Sequence, residues 1–420
     1  MLNFEKKYKD ILENIKEWGF LRVYFRKYFH KDSFSKNKEK NKKYLLKSLT
    51  FGFKNFLGKY DYLFFSDSKE RRKIENYYVD KYFDDIIERI KGKSLLFELP
   101  APKHFVNSKT KYIVSETWVY LLAKIISVFI KTKKIKEIDA ILNKENLKIN
   151  YKTFFKDFYS KYFVYKFFLK LYKPKAVFVN CYYCRSALIK AAKDLNIKVI
   201  EIQHGVIKKH DMYKSYIKID KSFVPDILLS WGKIDEELLI KDIFPIGSWY
   251  INYLKKNLTK ETKYQSLKEK YKYLVTVSLQ DIDEKINKQF FRLLENLDKN
   301  VMFFLVPRTK IPDYKFSENI KVIKDDCYKL LFNSDFHMSL YSSCAIEAPA
   351  LGKPNILVNI NNFAEKYFAD LEYTEIINNK DEFTKAINKL KNLKNIDKNY
   401  NLILNDYEKR INNFLKENLC

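Results

Sequence analysis

The sequence predicts a two-domain α/β protein built on parallel sheets. Three observations lead there. The chain has 420 residues, more than one ordinary hydrophobic core holds. Gly and Pro number only 8 and 9, too few for the frequent turns of a sandwich or barrel. From residue 175 onward, short apolar runs alternate with stretches of helical period, the pattern of repeated βαβ units.

Taken in order, residues 1–60 read as basic helices, interrupted by His30 to Tyr44, a Lys-dense stretch poor in apolar residues that reads as a loop. Residues 61–170 hold strand-like pieces such as Ser94-Leu-Leu-Phe-Glu-Leu99, then helical runs. Phe154 to Tyr172 carries Phe and Tyr at helical spacing, expected to be a buried helix face rather than a stacking platform. Lys175-Ala-Val-Phe-Val-Asn180 and Lys198-Val-Ile-Glu-Ile-Gln203 are runs expected of strands covered on both faces, joined by a helix from Arg185 to Leu195. Asp226-Ile-Leu-Leu-Ser-Trp231 is the next strand, followed by Gly232 and a helix from Asp235. Phe244-Pro-Ile-Gly247 closes this half.

After a Lys-rich connection from Lys255 to Lys270 the alternation restarts. Strands are expected at Tyr273 to Ser278, Val301 to Val306, Ile320 to Ile323, Phe336 to Leu340 and Asn355 to Asn359. Helices are expected at Glu284 to Leu297, Tyr328 to Asn333 and Ala345 to Leu351, with closing helices at Asp381 to Leu393 and Asn399 to Leu415. This divides the chain into an acceptor-side domain, residues 1–254 with a helical N-terminal extension, and a donor-side domain, residues 255–420. Ligands of such sheets bind outside the carboxyl ends of the strands, so the cleft between two facing domains is the expected site.

The net charge is +28, which suits nucleic acid, an anionic membrane surface or acidic small molecules. The lysines run along the whole chain, which argues against a dedicated nucleic-acid surface. Five cysteines at irregular spacing do not form a secreted disulfide framework. The N-terminus lacks the apolar core of a signal peptide. The longest apolar run, Trp118 to Ile130, is broken by Lys124 and too short to span a bilayer. A cytoplasmic protein, peripheral on the inner membrane face, is the expectation.

Two segments carry candidate chemistry. In Ser339-Leu-Tyr-Ser-Ser-Cys-Ala-Ile-Glu-Ala-Pro-Ala-Leu-Gly-Lys-Pro354 a strand runs into Ser342 and Ser343, either of which can cap the following helix. Unpaired N–H groups at a helix start suit a phosphate, and Glu347, one turn on, can accept from ribose hydroxyls. In the other half, Gln203-His204-Gly205 follows a strand directly, with His210 soon after. Only five histidines exist. His204 and His210 are therefore the candidate catalytic residues, as base or anion ligand, and Gly205 lets a ligand approach the backbone. Glu201 is the nearest carboxylate but lies inside the strand. Cys181-Tyr-Tyr-Cys184 is read as two thiols at a strand end rather than a redox or zinc motif. There is neither a Gly-x-Gly-x-x-Gly element nor a P-loop, so no cofactor is expected. Asp281-Ile-Asp283 is too short a pattern to assign a metal, and metal independence is the default.

The stretch from Asn333 to Pro354 resembles the donor-binding motif of GT-B glycosyltransferases, most closely bacterial capsule and lipopolysaccharide enzymes of the sialyltransferase-like and Kdo-transferase-like groups. The resemblance covers the last third of the chain. It implies contacts from Ser342 and Ser343 to a donor phosphate and from Glu347 to ribose. It also implies a cleft position for the Gln203-His204-Gly205 element. Where many of these enzymes carry His-Pro, this chain has Val306-Pro307, followed by Arg308, a candidate phosphate ligand. Ser278 is a further candidate at the donor site. The expected substrates are a nucleotide sugar, CMP- or UDP-linked, and a glycan or glycolipid acceptor. A CDP-glycerol-type polyol-phosphate transferase and a non-enzymatic basic membrane or nucleic-acid binder are the alternatives.

Overall fold

A computed structural model describes residues 1–29, 47–67, 70–99, 105–207, 210–280, 283–308, 312–324 and 326–419. The loop read at His30 to Tyr44 and most of Asp281-Ile-Asp283 lie outside the described residues. The first sheet has seven strands: β1 (Tyr62–Asp67), β4 (Ser94–Leu99), β5 (Ile113–Ser115), β6 (Ala176–Asn180), β7 (Lys198–Ile202), β8 (Ile227–Ser230) and β9 (Asp242–Pro245), in the order β5-β4-β1-β6-β7-β8-β9. A hairpin of β2 (Arg71–Ile74) and β3 (Tyr77–Asp80) is inserted after β1. The second sheet comprises β10 (Tyr273–Ser278), β11 (Val301–Val306), β12 (Ile320–Val322), β13 (Phe336–Ser339), β14 (Asn355–Val358) and β15 (Thr374–Ile377), in the order β12-β11-β10-β13-β14-β15. Every ladder in both large sheets is parallel. Both orders follow the doubly wound Rossmann scheme, in which the crossovers reverse direction beside the first strand. The two switch points fall between β1 and β6 and between β10 and β13.

The inner strands are buried on both faces, as their apolar runs require, while the edge strands β9, β12 and β15 are partly exposed. One apolar core spans both domains: Ile202, Trp231 and Tyr250 from the first half share it with Tyr328, Leu331 and Ile346 from the second. The last helix, Tyr407–Leu419, returns to the first sheet. Phe414 meets Phe244 at 5.2 Å between ring centroids, and the Tyr62 hydroxyl donates to the Leu419 carbonyl at 3.1 Å.

Two sequence expectations give way here. No helix starts at Asp235; residues 232–241 are irregular, because Leu238 and Ile240 bury in the first core and the Leu239 N–H donates to the Tyr213 carbonyl at 2.8 Å. The helix expected from Asn399 begins instead at Tyr407. Residues 401–402 pass directly over Gly232, where a side-chain carbon would sit 2.4 Å from the Asn401 carbonyl oxygen, and the Leu404 N–H donates to the Trp231 carbonyl at 2.8 Å. In both places tertiary contacts outweigh helix propensity.

Candidate active-site cleft

Both sequence-predicted clusters lie at the carboxyl edges of their sheets, close to the switch points. Cys181 follows β6, and its backbone N–H donates to His204 Nδ1 at 3.2 Å. That bond sets the tautomer: Nδ1 accepts, so the neutral ring carries its proton on Nε2. His204 is thereby a donor at the nitrogen that faces away from Cys181. The loop it sits on is pinned by Gln203, whose side chain donates to the Gly205 carbonyl at 2.9 Å and accepts from the Trp231 N–H at 2.7 Å. Gln203 is a buried clamp. Gly205 has no heavy atom within 4 Å of where a side-chain carbon would stand, so the space beside it is open.

Beneath this loop Glu201 is fully buried. Its Oε1 accepts from the Tyr182 N–H at 2.9 Å and from the Tyr213 hydroxyl at 2.7 Å, while Oε2 has no partner. Burial pushes its carboxyl up to about 8. His210 borders this arrangement, its ring 5.5 Å from that of Tyr213. It stacks on Tyr183 at 5.1 Å, and its Nε2 lies 3.2 Å from an Arg26 guanidinium nitrogen. Arg26 in turn pairs with Asp211 at 2.7 Å. These contacts tie the N-terminal helix Trp18–Phe29 to the loop.

On the second domain, β13 runs through Leu340 and Tyr341 into the serine pair and the helix Cys344–Ala350. Ser342 is buried, and its Oγ accepts from the Cys344 N–H at 3.2 Å. Ser343 occupies the N-cap position without a side-chain capping bond, which leaves its hydroxyl available to a ligand. The helix has only seven residues, so side-chain and backbone donors count for more here than a macrodipole. Glu347 is 3% exposed. Its Oε1 accepts from the Tyr328 hydroxyl at 2.8 Å and lies 3.8 Å from Lys81 Nζ, while its Oε2 has no hydrogen-bond partner.

Ser278 is engaged elsewhere. Its hydroxyl lies 2.8 Å from Nε2 of the fully buried His337, whose Nδ1 meets Asn355 Oδ1 at 2.8 Å. Asn355 then donates to the Ala345 carbonyl at 2.8 Å. Burial holds His337 down to about 4, so it is neutral near physiological pH. This chain of bonds fixes the helix Cys344–Ala350 on its sheet, and Ser278 acts through it. Pro307 and Arg308 follow β11; Arg308 is exposed, 3.5 Å from Gln280 Oε1.

The sequence reading missed the element that joins the two clusters. Lys81 and Tyr82 follow the β2–β3 hairpin. Tyr82 donates to the His204 carbonyl at 3.0 Å, and Lys81, 8% exposed, reaches Glu347 and Glu70, each at 3.8 Å. Arg72 lies 3.8 Å from Glu70; burial works against its charge, and the neighbouring Glu70 carboxylate favours it. The hairpin is rigid because Arg71 and Glu98 form a doubly hydrogen-bonded, fully buried pair at 2.7 and 2.8 Å. Asp80 accepts from the Tyr82 and Phe83 N–H groups and from Ser66. Charged residues soon after a first-domain strand were the available signal.

Two thiols also meet in the cleft. Cys344 is held below its ordinary range by the Cys327 thiol, which is pushed up in turn. Among the described residues, no group of three or more His, Cys, Asp or Glu side chains is arranged to hold a metal ion. A cavity of about 450 Å³ opens at the amino ends of β4 and β5, beside Ser94, Lys111 and Tyr112, far from this chemistry.

No protein-family model and no curated protein matches the chain. Solved structures do. UDP-GlcNAc 2-epimerase from Methanocaldococcus jannaschii, in complex with UDP-GlcNAc and UDP, is similar with a TM-score of 0.53 at 14% identity, over 85% of this chain and 99% of that one. The UDP co-structure of Staphylococcus aureus MnaA gives 0.49 at 11% identity, over 85% and 96%. CalG4, the calicheamicin glycosyltransferase, gives 0.48 at 9%, over 85% and 94%. At these identities the likeness is one of fold: two Rossmann-like domains in the GT-B arrangement.

Proposed function

We propose that the protein is a glycosyltransferase that takes a nucleotide sugar and transfers the sugar to a cell-surface glycan or lipid-linked acceptor. The observation that carries this reading is Glu347: a buried carboxylate at the domain seam, with one oxygen held by Tyr328 and Lys81 and the other unpartnered. An unsatisfied buried acceptor costs about 1–3 kcal/mol. A ribose hydroxyl donating to that oxygen removes the cost when the seam opens to admit a nucleotide. The open Ser343 hydroxyl stands one helical turn away, and Lys81 and Arg72 approach from the other domain, so phosphate oxygens next to the ribose meet both donors and positive charge. The fold neighbours crystallised with UDP or UDP-GlcNAc support a nucleotide ligand for this architecture.

Transfer is displacement at the anomeric carbon: the bond to the acceptor oxygen forms as the bond to the nucleotide phosphate breaks, and the acceptor hydroxyl proton passes to the leaving phosphate. His204 contributes as an Nε2–H donor to that anion, since the base role would need the Nδ1 proton directed at the Cys181 N–H. The capsule or lipopolysaccharide product rests on the likeness of the Asn333 to Pro354 segment. A thermal-shift panel of CMP, CDP, UDP and GDP tests the reading. One nucleotide should stabilise the protein by about 2.7 kcal/mol at a hundredfold excess over its Kd, and Ser343→Ala and Glu347→Ala should each reduce that response. A flat response to all four nucleotides contradicts the proposal.

A further inference from the structure

The helix Thr117–Ile126 and the long helix Tyr151–Tyr172 lie side by side on the outer face of the first domain. Their buried faces fill the first core, as expected for the Phe- and Tyr-rich stretch. Their outward faces do not look like an ordinary protein surface. Phe163, Phe167 and Leu171 recur every four residues, and all three are exposed. Leu57 joins them, since the neighbouring Phe56 packs on Phe168 at 5.7 Å and accepts from the Tyr172 hydroxyl through its carbonyl. At the far end of the shorter helix Ile125, Val128 and Phe129 stand clear of the fold. Leu57, Val128 and Phe129 are 85%, 77% and 80% exposed, values at which large apolar side chains have almost no protein contact.

The charge on this face is one-sided. Segments 51–59, 117–134 and 163–175 contain ten lysines and no Asp or Glu of their own, although about one residue in eight of the whole chain is acidic. Lys133, Lys166 and Lys175 pair with Glu17, Asp194 and Asp61 from neighbouring segments, which still leaves a positive excess. Lys54, Lys124, Lys131, Lys133, Lys134 and Lys170 are all exposed among the apolar side chains. The placement also matters. Tyr165 bonds Glu116, and Lys161 lies over the Tyr120 ring at 4.7 Å, so the two helices run antiparallel. The tip at residues 125–129 therefore projects past the carboxyl edge of the first sheet, the edge that carries His204.

We infer that this face is a membrane-docking surface that seats its apolar side chains in the interfacial region of an anionic bilayer while the lysines pair with headgroups. A second copy of this chain is disfavoured as occupant, because two faces with the same lysine excess repel each other. Nucleic acid is disfavoured because the most exposed side chains, Leu57, Val128 and Phe129, are mostly aliphatic and give bases little to stack on. No helix among the described residues is long and apolar enough to cross a membrane, so the mode is attachment in the interface plane. The inference rests on this surface alone and does not depend on the nucleotide reading.

Cosedimentation with phosphatidylcholine vesicles, with and without phosphatidylglycerol, tests it. The wild type should partition onto phosphatidylglycerol vesicles in a salt-sensitive way. Lys131→Gln/Lys133→Gln/Lys134→Gln should lower the partition coefficient about a hundredfold, and Ile125→Ser/Val128→Ser/Phe129→Ser at least about tenfold. The changes fall on solvent-exposed positions, and circular dichroism identical to wild type checks the fold. Phe129→Trp keeps the test open should a triple variant misfold: its fluorescence should be quenched by lipids brominated in the acyl chain. Absence of binding to phosphatidylglycerol vesicles, absence of that quenching, or a dimer that the serine variant turns into a monomer each overturns the inference. Nucleotide-induced thermal shifts should be unchanged in all these variants, so loss of docking and failure of the nucleotide site are separately visible.

Discussion

Glu201→Gln is the most informative single change beneath the His204 loop. In the folded protein the Glu201 carboxyl titrates near 8, against an ordinary 4.5, because its burial outweighs the two hydrogen bonds to Oε1 that favour the charged form, and Oε2 has no partner. Folding must therefore put a proton on it. The stability tied to this group is complete below pH 4.5 and falls as pH rises, until the folded value near 8 is passed. The slope is about 1.4 kcal/mol per pH unit, and the full span about 5 kcal/mol, an upper limit because water penetration and relaxation soften burial. Glutamine keeps the acceptor for the Tyr182 N–H and the Tyr213 hydroxyl but cannot ionise. It places an amide N–H₂ where Oε2 has no partner, a pH-independent penalty of about 1–3 kcal/mol. The prediction therefore concerns the slope: the stability of Glu201→Gln minus wild type, from urea unfolding at matched ionic strength, should rise steadily from pH 5 to pH 8. Asp80 and Asp84, which burial raises to about 6 and about 7, titrate in both proteins and cancel in the difference. A difference that is flat with pH, or that favours wild type as pH rises, would mean that Glu201 is ionised under the His204 loop, and the account of that loop would be wrong.

Other expectations follow from the same geometry. His204→Gln, which can keep a donor near the Nε2 position, should retain more turnover than His204→Asn, which keeps only the acceptor for Cys181; a loss of about 10²–10³ in kcat is expected for the latter. Equal inactivation of both, with a rate that rises through the histidine range, would support a base instead. Cys344, at the first turn of the donor-side helix, should be alkylated by N-ethylmaleimide in the free protein and protected by the stabilising nucleotide; labelling unaffected by nucleotide would separate the thiol from the site. His337 is held to about 4, below its ordinary 6.5, so folding requires it neutral. The stability it carries is present above pH 6.5 and is lost as pH falls towards 4, by about 3 kcal/mol. His337→Asn should remove that part of the acid dependence, read as a change in slope between pH 6.5 and pH 4.

The second domain was legible where its strands are short, mostly apolar runs; β15, which carries Thr374 and Glu375, was not read as a strand. Val301 to Val306 and Phe336 to Ser339 fall where the sequence puts them. The first domain was less so. The hairpin at Arg71 to Asp80 is dense in charge and has no turn glycine, and its stability comes from the Arg71–Glu98 pair, a contact between positions 27 residues apart. Lys81 and Arg72 could not be brought to Glu347 without knowing that hairpin. The sequence does place Ser342, Ser343, Glu347 and His204 at strand ends. Their division of labour depends on partners distant in the chain: Ser278 is drawn to His337, Gln203 to Trp231, and His204 is set as a donor by a backbone group 23 residues earlier. The same holds for Phe163, Phe167 and Leu171, whose helical spacing announces a helix but not which face of it the core leaves bare.

The claim on which the account turns is that Glu347 receives ribose. Isothermal titration of the stabilising nucleoside diphosphate and its 2′,3′-dideoxy analogue into wild type and Glu347→Ala measures it directly. One hydrogen bond to the unpartnered carboxylate oxygen, at about 1.5 kcal/mol, predicts that the wild type prefers the ribonucleotide by about tenfold and that the variant shows no preference. Equal preference in both proteins, or none in the wild type, would contradict it.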